Sequence, residues 1–340
     1  MVRELTLDRL PKRVLAKLDI ETVFKASRCV IAAEQLRVFR KLHGGTLTAG
    51  EIARRTGIRS TYCEGFLEVL VFLGLLIKKA GRYGNSALAD SCFVKGRSVD
   101  WTRLWSEECA KDYEALAVME EVITSGEDWR KLLDRERKPD YELAATDPEW
   151  ARDFTYALYD LYKPDAELLA KHLDLTGYRA LLDVGGGSGV MSLALTKRYP
   201  KLRACVLDLK YVCDAARQII RKEGMSKRVR TLAGDMNKSI PPGYDVVMFW
   251  NIGWIDTRVM KMAYNSLSDG GMVVRSCTPP QYPATPSPSV FFHEYFSVRP
   301  KVQRKTSAME SLKEAGFRSV KYRRISAGIG MITAIKGRRR

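Results

Sequence analysis

Short apolar runs alternate with longer segments of helical periodicity over the second half of the chain. The runs predict buried strands, and segments whose apolar residues recur every three or four positions predict helices. We expect strands at residues 180–184, 203–208, 228–233, 244–249, 271–276, 318–324 and 328–335. The expected helices lie at residues 189–198, 211–223, 257–267, 290–297 and 305–315. This alternation predicts an α/β fold with a doubly wound sheet.

The first hundred residues have a different pattern. Residues 21–39 carry apolar side chains at helical spacing and predict an amphipathic helix. Two capping boxes each predict the start of a further helix, one formed by Thr48 with Glu51 and the other by Thr61 with Glu64. The segment LLIKKAGRYGNSALA then predicts two short strands. Helices followed by a strand pair are typical of a winged-helix domain.

A winged helix can bind DNA or another protein. The second capped helix is apolar around nearly its whole circumference and has few basic residues on its exposed side. DNA binding depends on basic side chains that neutralise phosphates. We therefore interpret residues 1–100 as a dimerisation domain that forms a homodimer, and DNA binding stays open as the less favoured alternative.

An acidic segment rich in tryptophan and tyrosine, residues 101–165, predicts a helical connector between two domains. The second domain would then comprise residues 166–340. Within the connector, four residues share one helical face and are called the connector stripe: Phe154, Leu158, Leu161 and Tyr162. A stripe at this spacing favours a buried core, with a ligand pocket as the alternative.

The first candidate for a ligand-binding segment is LLDVGGGSGV, residues 181–190. A buried strand ends at Asp183, and the loop that follows contains Gly185, Gly187 and Gly189 before a helical pattern starts. A strand, a glycine-rich turn and a helix form a nucleotide pocket in parallel sheets, because glycine lets a ligand approach the backbone amides closely. The dinucleotide motif G-x-G-x-x-G does not fit, since Val190 stands at the third glycine.

A second acid, Asp208, ends the next apolar strand about twenty residues later, where a carboxylate can bind ribose hydroxyls. The D-x-G-G-G-x-G loop together with this acid resembles the S-adenosylmethionine loop of class I methyltransferases. A tight turn without a ligand is the alternative interpretation of the loop alone.

The whole chain resembles the plant caffeate-type and bacterial O-methyltransferase family, which includes acetylserotonin, carotenoid-pathway and bacteriochlorophyll-pathway methyltransferases. The likeness extends over most of residues 21–335. It rests on LTAGEIARRTG, LLDVGGGSG, VLDL, GDM, Trp254 with Asp256, and KEAGF. The resemblance implies a Rossmann-like sheet of seven strands, an N-terminal winged-helix dimerisation domain, S-adenosylmethionine as cofactor, S-adenosylhomocysteine as product, and a small-molecule acceptor.

The resemblance also assigns cofactor residues by position. Asp183 and the three loop glycines would surround the methionine and ribose portions of the cofactor. Asp208 would bind the ribose hydroxyls, and Asp235 with Met236 in the GDM segment would contact adenine. For Asp235 alone, a turn-forming acid after a strand is the alternative.

The residue that acts as general base in the family has no counterpart in this chain. The family has a histidine two positions before the tryptophan that corresponds to Trp254, and this chain has Ile252 there. The glutamate that assists this histidine in the family is also missing. His293 and Glu294 in FFHEYF are candidate substitutes, since histidine transfers protons near neutral pH. A surface histidine among aromatic residues is the alternative interpretation of His293.

Aromatic side chains predict where an acceptor would bind. Tyr156, Trp250, Trp254 and Phe292 could form a flat apolar pocket for an aromatic or conjugated molecule, or belong to the core beside the sheet. Oxygen is the atom that the family usually methylates, and the missing base leaves carbon or nitrogen open. A family member that binds the cofactor without methylating, a nucleic-acid methyltransferase and a DNA-binding regulator also stay open.

Composition adds limits to these expectations. The net charge is +17, and residues 201–340 contain 26 basic and 10 acidic side chains. We interpret these dispersed charges as a solvated surface, and nucleic acid is not the favoured partner. The seven cysteines are scattered, which predicts free thiols in the cytoplasm and no metal site. We expect neither a signal peptide nor a membrane span.

Overall fold

The computed structural model describes residues 11–15, 20–94, 112–133, 140–252, 255–277, 305–326 and 329–337. Its contacts divide the chain into two units, Met1–Ala117 and Val118–Arg340. The finer division into residues 1–100, 101–165 and 166–340 stays a prediction. Within the described ranges, no helix combines the length and the apolar character needed to cross a membrane.

The N-terminal unit combines helices with a small antiparallel sheet whose strand order is β1-β3-β2. Its elements in chain order are α1 (Lys12–Leu15), α2 (Ile20–Gln35), α3 (Val38–Leu42), β1 (Leu47–Thr48), α4 (Ala49–Thr56), α5 (Ser60–Phe72), β2 (Leu76–Lys79), β3 (Arg82–Asn85), α6 (Ala87–Ala89) and a π-helical turn (Asp90–Val94). Phe39, Leu67, Leu70 and Tyr83 are buried in one apolar core between these elements. The two strands predicted from LLIKKAGRYGNSALA are confirmed as β2 and β3.

The helix predicted over residues 21–39 is wrong in one respect, because it is divided in two. Arg37 has φ +58° and ψ +30°, a left-handed conformation that ends α2 and starts α3 in a new direction. After this turn Val38 and Phe39 are fully buried. The segment contains neither glycine nor proline, so its periodicity alone gave no signal of the break.

One predicted capping box is confirmed and the other is wrong. At the start of α4, the Glu51 amide donates to Thr48 Oγ1 at 3.3 Å and the Thr48 amide donates to Glu51 Oε2 at 2.7 Å. At α5, the capping residue is Arg59, whose side chain makes no capping bond, and Thr61 lies inside the helix. An S/T-x-x-E pattern therefore fits both segments, although only one uses it as a cap.

The C-terminal unit contains the α/β fold. Its elements are α7 (Met119–Ser125), α8 (Trp129–Leu132), α9 (Asp140–Thr146), α10 (Pro148–Leu161), α11 (Lys163–His172), β4 (Ala180–Val184), α12 (Val190–Arg198), β5 (Arg203–Asp208), α13 (Lys210–Lys222), β6 (Val229–Ala233), β7 (Tyr244–Phe249), α14 (Thr257–Ser266), β8 (Leu267–Cys277), α15 (Lys305–Glu314), β9 (Arg318–Arg324) and β10 (Gly330–Ile335). All the predicted strands are confirmed, and β8 begins four residues earlier than predicted. The helix predicted at residues 290–297 lies outside the described residues.

These strands form one seven-stranded sheet in the order β6-β5-β4-β7-β8-β10-β9. The pairs from β6 to β8 are parallel, and β10 pairs antiparallel with both β8 and β9. The predicted doubly wound sheet is therefore confirmed. Because the carboxyl ends of parallel strands lie at the same edge, the loops after β4, β5, β6 and β7 can form one site.

Successive apolar side chains point to alternate faces of this sheet, and they form one buried core on each face. Leu181 and Val206 belong to one buried cluster, whereas Leu182 and Val247 belong to the other. Successive side chains of a strand point to opposite faces, so a strand buried on both sides is apolar throughout. The two cores hold the strand ends, and with them the loops, in fixed relative positions.

Candidate active site

The glycine loop connects β4 to α12 at the carboxyl edge of the sheet. Gly185, Gly187 and Gly189 have φ values of +63°, +54° and +73°, which side chains rarely permit. The Gly185 amide donates to the carbonyl oxygen of Leu207 at 2.7 Å, which ties the loop to the end of β5. Glycine therefore stands where the loop backbone is left-handed and where, at Gly185, it lies close to the end of β5.

Asp208 connects the end of β5 to this loop. Its Oδ2 accepts a hydrogen bond from the Gly187 amide at 2.8 Å, and its Oδ1 accepts one from the Leu209 amide at 2.7 Å. Burial raises the pKa of Asp208, and the two amide hydrogen bonds oppose this effect by stabilising the carboxylate. The carboxylate predicted to bind ribose thus also fixes the position of the glycine loop.

Asp235 follows β6, the next parallel strand. Its Oδ1 accepts from the Asn237 amide at 2.8 Å, and its Oδ2 accepts from the Tyr141 hydroxyl at 3.1 Å. Burial favours a higher pKa for Asp235, but the hydrogen bonds from Asn237 and Tyr141 outweigh it, and the pKa is lowered. Sequence reasoning missed Tyr141, which lies on the short helix α9.

Asp183 packs against the buried side of the glycine loop. Its side chain has no exposed surface, and its Oδ2 accepts a hydrogen bond from Ser192 Oγ at 2.7 Å. A Cβ atom at Gly186 would lie only 2.5 Å from its carboxyl carbon. Burial raises the pKa of Asp183 to about 7, while the Ser192 hydrogen bond opposes this shift. Asp183 is therefore packed under the loop and does not line the cleft described next.

The loops enclose an open cleft of about 290 Å³ together with α9 and α10. Asp208, Asp235, Met236 and the glycine loop form one side of it. The two helices contribute Tyr141, Ala144, Phe154, Thr155 and Leu158 to its lining. Phe154 and Leu158 of the connector stripe therefore line a cleft, which was the alternative interpretation of that stripe.

Ile252 covers the glycine loop at the position where the family resemblance would place a base. A Cβ atom at Gly185 would lie 2.6 Å from Ile252 Cδ1 and 3.9 Å from Met236 Sδ. Both side chains thus lie close to the Gly185 backbone and line the cleft. An aliphatic side chain at this position cannot accept a proton.

The acceptor residues named from sequence do not meet in this cleft. Tyr156 donates a hydrogen bond to Gln218 Oε1 at 3.2 Å and packs beside the core. Trp250 is 4% exposed and belongs to the same core. Neither residue lines the cleft; Trp250 lies in the core environment that was its alternative, and Tyr156 is half-buried against that core. The remaining assignments fall outside the described residues: Trp254, Phe292, His293 and Glu294.

Comparison with known proteins identifies the family. Two family models match the chain, the O-methyltransferase dimerisation domain at residues 18–95 and the O-methyltransferase domain at residues 118–318. A relative, the 3-hydroxy-5-methyl-1-naphthoate 3-O-methyltransferase of Streptomyces sahachiroi, is 29% identical over 266 residues, which cover 76% of this chain and 75% of the relative. The N,N-dimethyltransferase OxyT of Streptomyces rimosus is 28% identical over 263 residues and 76% of each chain.

The fold also resembles that of a methyltransferase of known structure. The solved structure of human N-acetylserotonin methyltransferase in complex with SAM matches with a TM-score of 0.77 and 19% identity. The match covers 98% of this chain and 100% of the human one. Since the O-methyltransferase domain alone spans more than half of the sequence, the chain belongs to the O-methyltransferase family and is an S-adenosylmethionine-dependent methyltransferase.

Proposed function

We propose that this enzyme methylates a small aromatic or conjugated acceptor, and that the methylated atom is an ionised hydroxyl oxygen. The observation that carries the proposal is the glycine loop held by Asp208 beside a cleft with an aliphatic residue at the base position. The relative from Streptomyces sahachiroi, whose name describes O-methylation of a hydroxynaphthoate, supports an aromatic hydroxyl acceptor.

The cleft residues fit the cofactor. Asp208 retains carboxylate lone pairs that can accept hydrogen bonds from ribose hydroxyls, since each of its oxygens accepts one amide hydrogen bond. Asp235 can accept from the adenine amino group, and Met236 supplies a polarizable thioether for the ring face. Gly185, Gly187 and Gly189 leave the loop backbone open to the methionine portion. When bound, S-adenosylmethionine supplies an electrophilic methyl group on a positively charged sulfur.

The chemistry follows from the side chains that line the cleft. Ile252 takes no proton, and Asp208 and Asp235 are engaged by backbone amides. Burial and the hydrogen bond to Asp235 raise the pKa of Tyr141, which makes its phenolate less available as a base. An acceptor that arrives ionised needs only alignment with the methyl group and exclusion of water. His293 and Glu294 stay the alternative source of a base.

N-methylation is the second candidate. The similarity to an enzyme named as an N,N-dimethyltransferase favours it, and a neutral amine already has the lone pair that attacks the methyl group. An amine acceptor would need no base before the transfer, in keeping with Ile252 at the base position. C-methylation and cofactor binding without methylation are the remaining alternatives to be separated by experiment.

The first test measures methyl transfer from S-adenosylmethionine to acidic phenols, ordinary phenols and aromatic amines. We expect turnover of hydroxyl acceptors to rise with pH, to be half-maximal at the pKa of each acceptor and to level off above it, because only the ionised fraction reacts. His293→Ala should leave this profile unchanged. A profile that is the same for all phenols and disappears in His293→Ala would contradict the proposal, and methylation of amines alone would favour the second candidate.

We further propose that the N-terminal unit is a winged-helix dimerisation domain that forms a homodimer in the cytoplasm. The match to the family's dimerisation domain supports this proposal. Helix α5 exposes large apolar side chains, including Tyr62 at 70%, Val69 at 37% and Phe72 at 39%. Exposed apolar side chains clustered on one element are typical of a protein interface. The free cysteines Cys29, Cys63 and Cys92 of the same unit fit a reducing compartment.

Tyr62→Glu should weaken the dimer by about 10-fold or more, because a charge replaces an exposed aromatic contact. Sedimentation over a range of protein concentrations would measure the change. Ser60→Glu is the control, since it adds the same charge two residues earlier at an exposed polar position. A full-length wild-type protein that sediments as a folded monomer would contradict the homodimer.

A further inference from the structure

Asn251 has an unusual backbone conformation at the cleft. Non-glycine residues with left-handed φ among those described are Arg37, Ala80, Asn251 and Ser319. Of these, Asn251 alone lines the cleft, and its φ is +54°. Non-glycine residues in this conformation are uncommon and concentrate at functional sites and in turns, with asparagine over-represented among them.

Neighbouring contacts fix this conformation. Asn251 follows β7, whose Phe249 is paired with Arg275 of β8. The Asn251 amide donates a hydrogen bond to Ser276 Oγ at 2.8 Å. The next residue, Ile252, lies against Gly185. The backbone of Asn251 is thus tied to the sheet on one side and leads directly onto the glycine loop on the other.

The carboxamide of Asn251 is available for a ligand. The residue is exposed and lines the cleft, and its side chain has no hydrogen bond to any residue within the described part of the chain. Asp208 and Asp235, whose carboxylates line the same cleft, are both held by backbone amides. An amide group can donate two hydrogen bonds and does not become charged.

We propose that Asn251 orients the acceptor by donating a hydrogen bond from its carboxamide to the oxygen that receives the methyl group. This assignment rests on the proposed O-methylation. The ionised oxygen uses a lone pair to form the new C–O bond, the C–S bond breaks, and its electron pair stays on sulfur. No proton is transferred in this step, so an amide that cannot accept one is sufficient beside Ile252.

The alternative is that asparagine is present only because a turn after β7 needs a left-handed residue. Three substitutions separate these roles. Asn251→Gly removes the carboxamide and permits the left-handed conformation, whereas Asn251→Ala removes it and strains the same backbone. Asn251→Asp keeps the size of the side chain, and its carboxylate repels an ionised oxygen and has no N–H to donate.

The experiment measures kcat and KM for an acidic phenol and the affinity for S-adenosylhomocysteine by calorimetry in all four proteins. We expect Asn251→Gly to lower kcat by about 10-fold or more, because the acceptor oxygen is no longer held in line with the methyl group. Asn251→Asp should lower it at least as much, because its carboxylate also repels the ionised oxygen. Affinity for S-adenosylhomocysteine should stay unchanged in both variants.

Wild-type kcat in Asn251→Gly, with a loss confined to Asn251→Ala, would overturn the assignment and leave Asn251 as a turn residue. Equal loss of S-adenosylhomocysteine affinity in Asn251→Gly would overturn it as well, since the residue would then bind the cofactor. A wild type that binds S-adenosylhomocysteine and methylates no hydroxyl acceptor would overturn the proposed O-methylation itself, and the assignment with it. These outcomes differ in the wild-type measurement, so the two failures are distinguishable.

Discussion

Asp208→Ala is expected to weaken the binding of S-adenosylhomocysteine by about 100-fold or more, because several hydrogen bonds to one carboxylate are lost together. Its oxygens accept from the amides of Gly187 and Leu209, and the proposed function adds the ribose hydroxyls. The substitution therefore removes a ligand contact and also releases the glycine loop. Calorimetric titration of wild type and variant would measure the loss.

Asp214→Ala is the matched control, because it removes an acid from the adjacent helix α13. Asp214 forms ion pairs with Lys210 and Arg217 and does not line the cleft, so its loss should leave S-adenosylhomocysteine affinity unchanged. Asp208→Asn should give an intermediate loss, since one acceptor oxygen remains. Tight binding by the wild type that persists in Asp208→Ala would contradict the assigned role, and circular dichroism would check that the variant is folded.

The sequence was most informative where backbone conformation depends on residue type. Gly185, Gly187 and Gly189 require left-handed φ values that the spacing of the loop already suggested. Strand length and alternation then put the carboxyl ends of β4, β5 and β6 in order, which brings Asp208 and Asp235 to the same edge. Local pattern and sheet topology agree here, and the location of the candidate site could be predicted for that reason.

Side-chain direction and the wall formed by α9 and α10 could not be predicted in the same way. Tyr141 lies on a helix of seven residues, which is too short for a clear periodicity, and its bond to Asp235 joins residues 94 positions apart. The sequence also does not show which way the aromatic side chains near the sheet point. Tyr156 and Trp250 are adjacent in sequence to cleft-lining residues, yet Trp250 is buried in the core and Tyr156 is half-buried against it. The reason is that successive side chains on helices and strands point to different sides.

Gly186→Ala is expected to lower the free energy of unfolding by about 1–3 kcal/mol, the usual cost of forcing extra atoms into a filled core. The added Cβ would lie 2.5 Å from the carboxyl carbon of Asp183 and within 2.9 Å of both its oxygens. Asp183 is short, fully buried and bonded to Ser192, so it has little room to move. Because its carboxyl lies under the glycine loop, affinity for S-adenosylhomocysteine should fall as well.

A double-mutant cycle tests this steric cause directly, since residues in contact have non-additive effects. Asp183→Ala opens the space that the new Cβ needs, so Gly186→Ala should cost less stability in that background than in the wild type. Asp183→Asn is the matched control, because it keeps the size of the side chain and should give no such relief. Urea unfolding of the wild type, the three single variants and the two double variants would measure the free energies. An equal cost of Gly186→Ala in the wild-type, Asp183→Ala and Asp183→Asn backgrounds would mean that the loop, and not the packing of Asp183 beneath it, accounts for the loss.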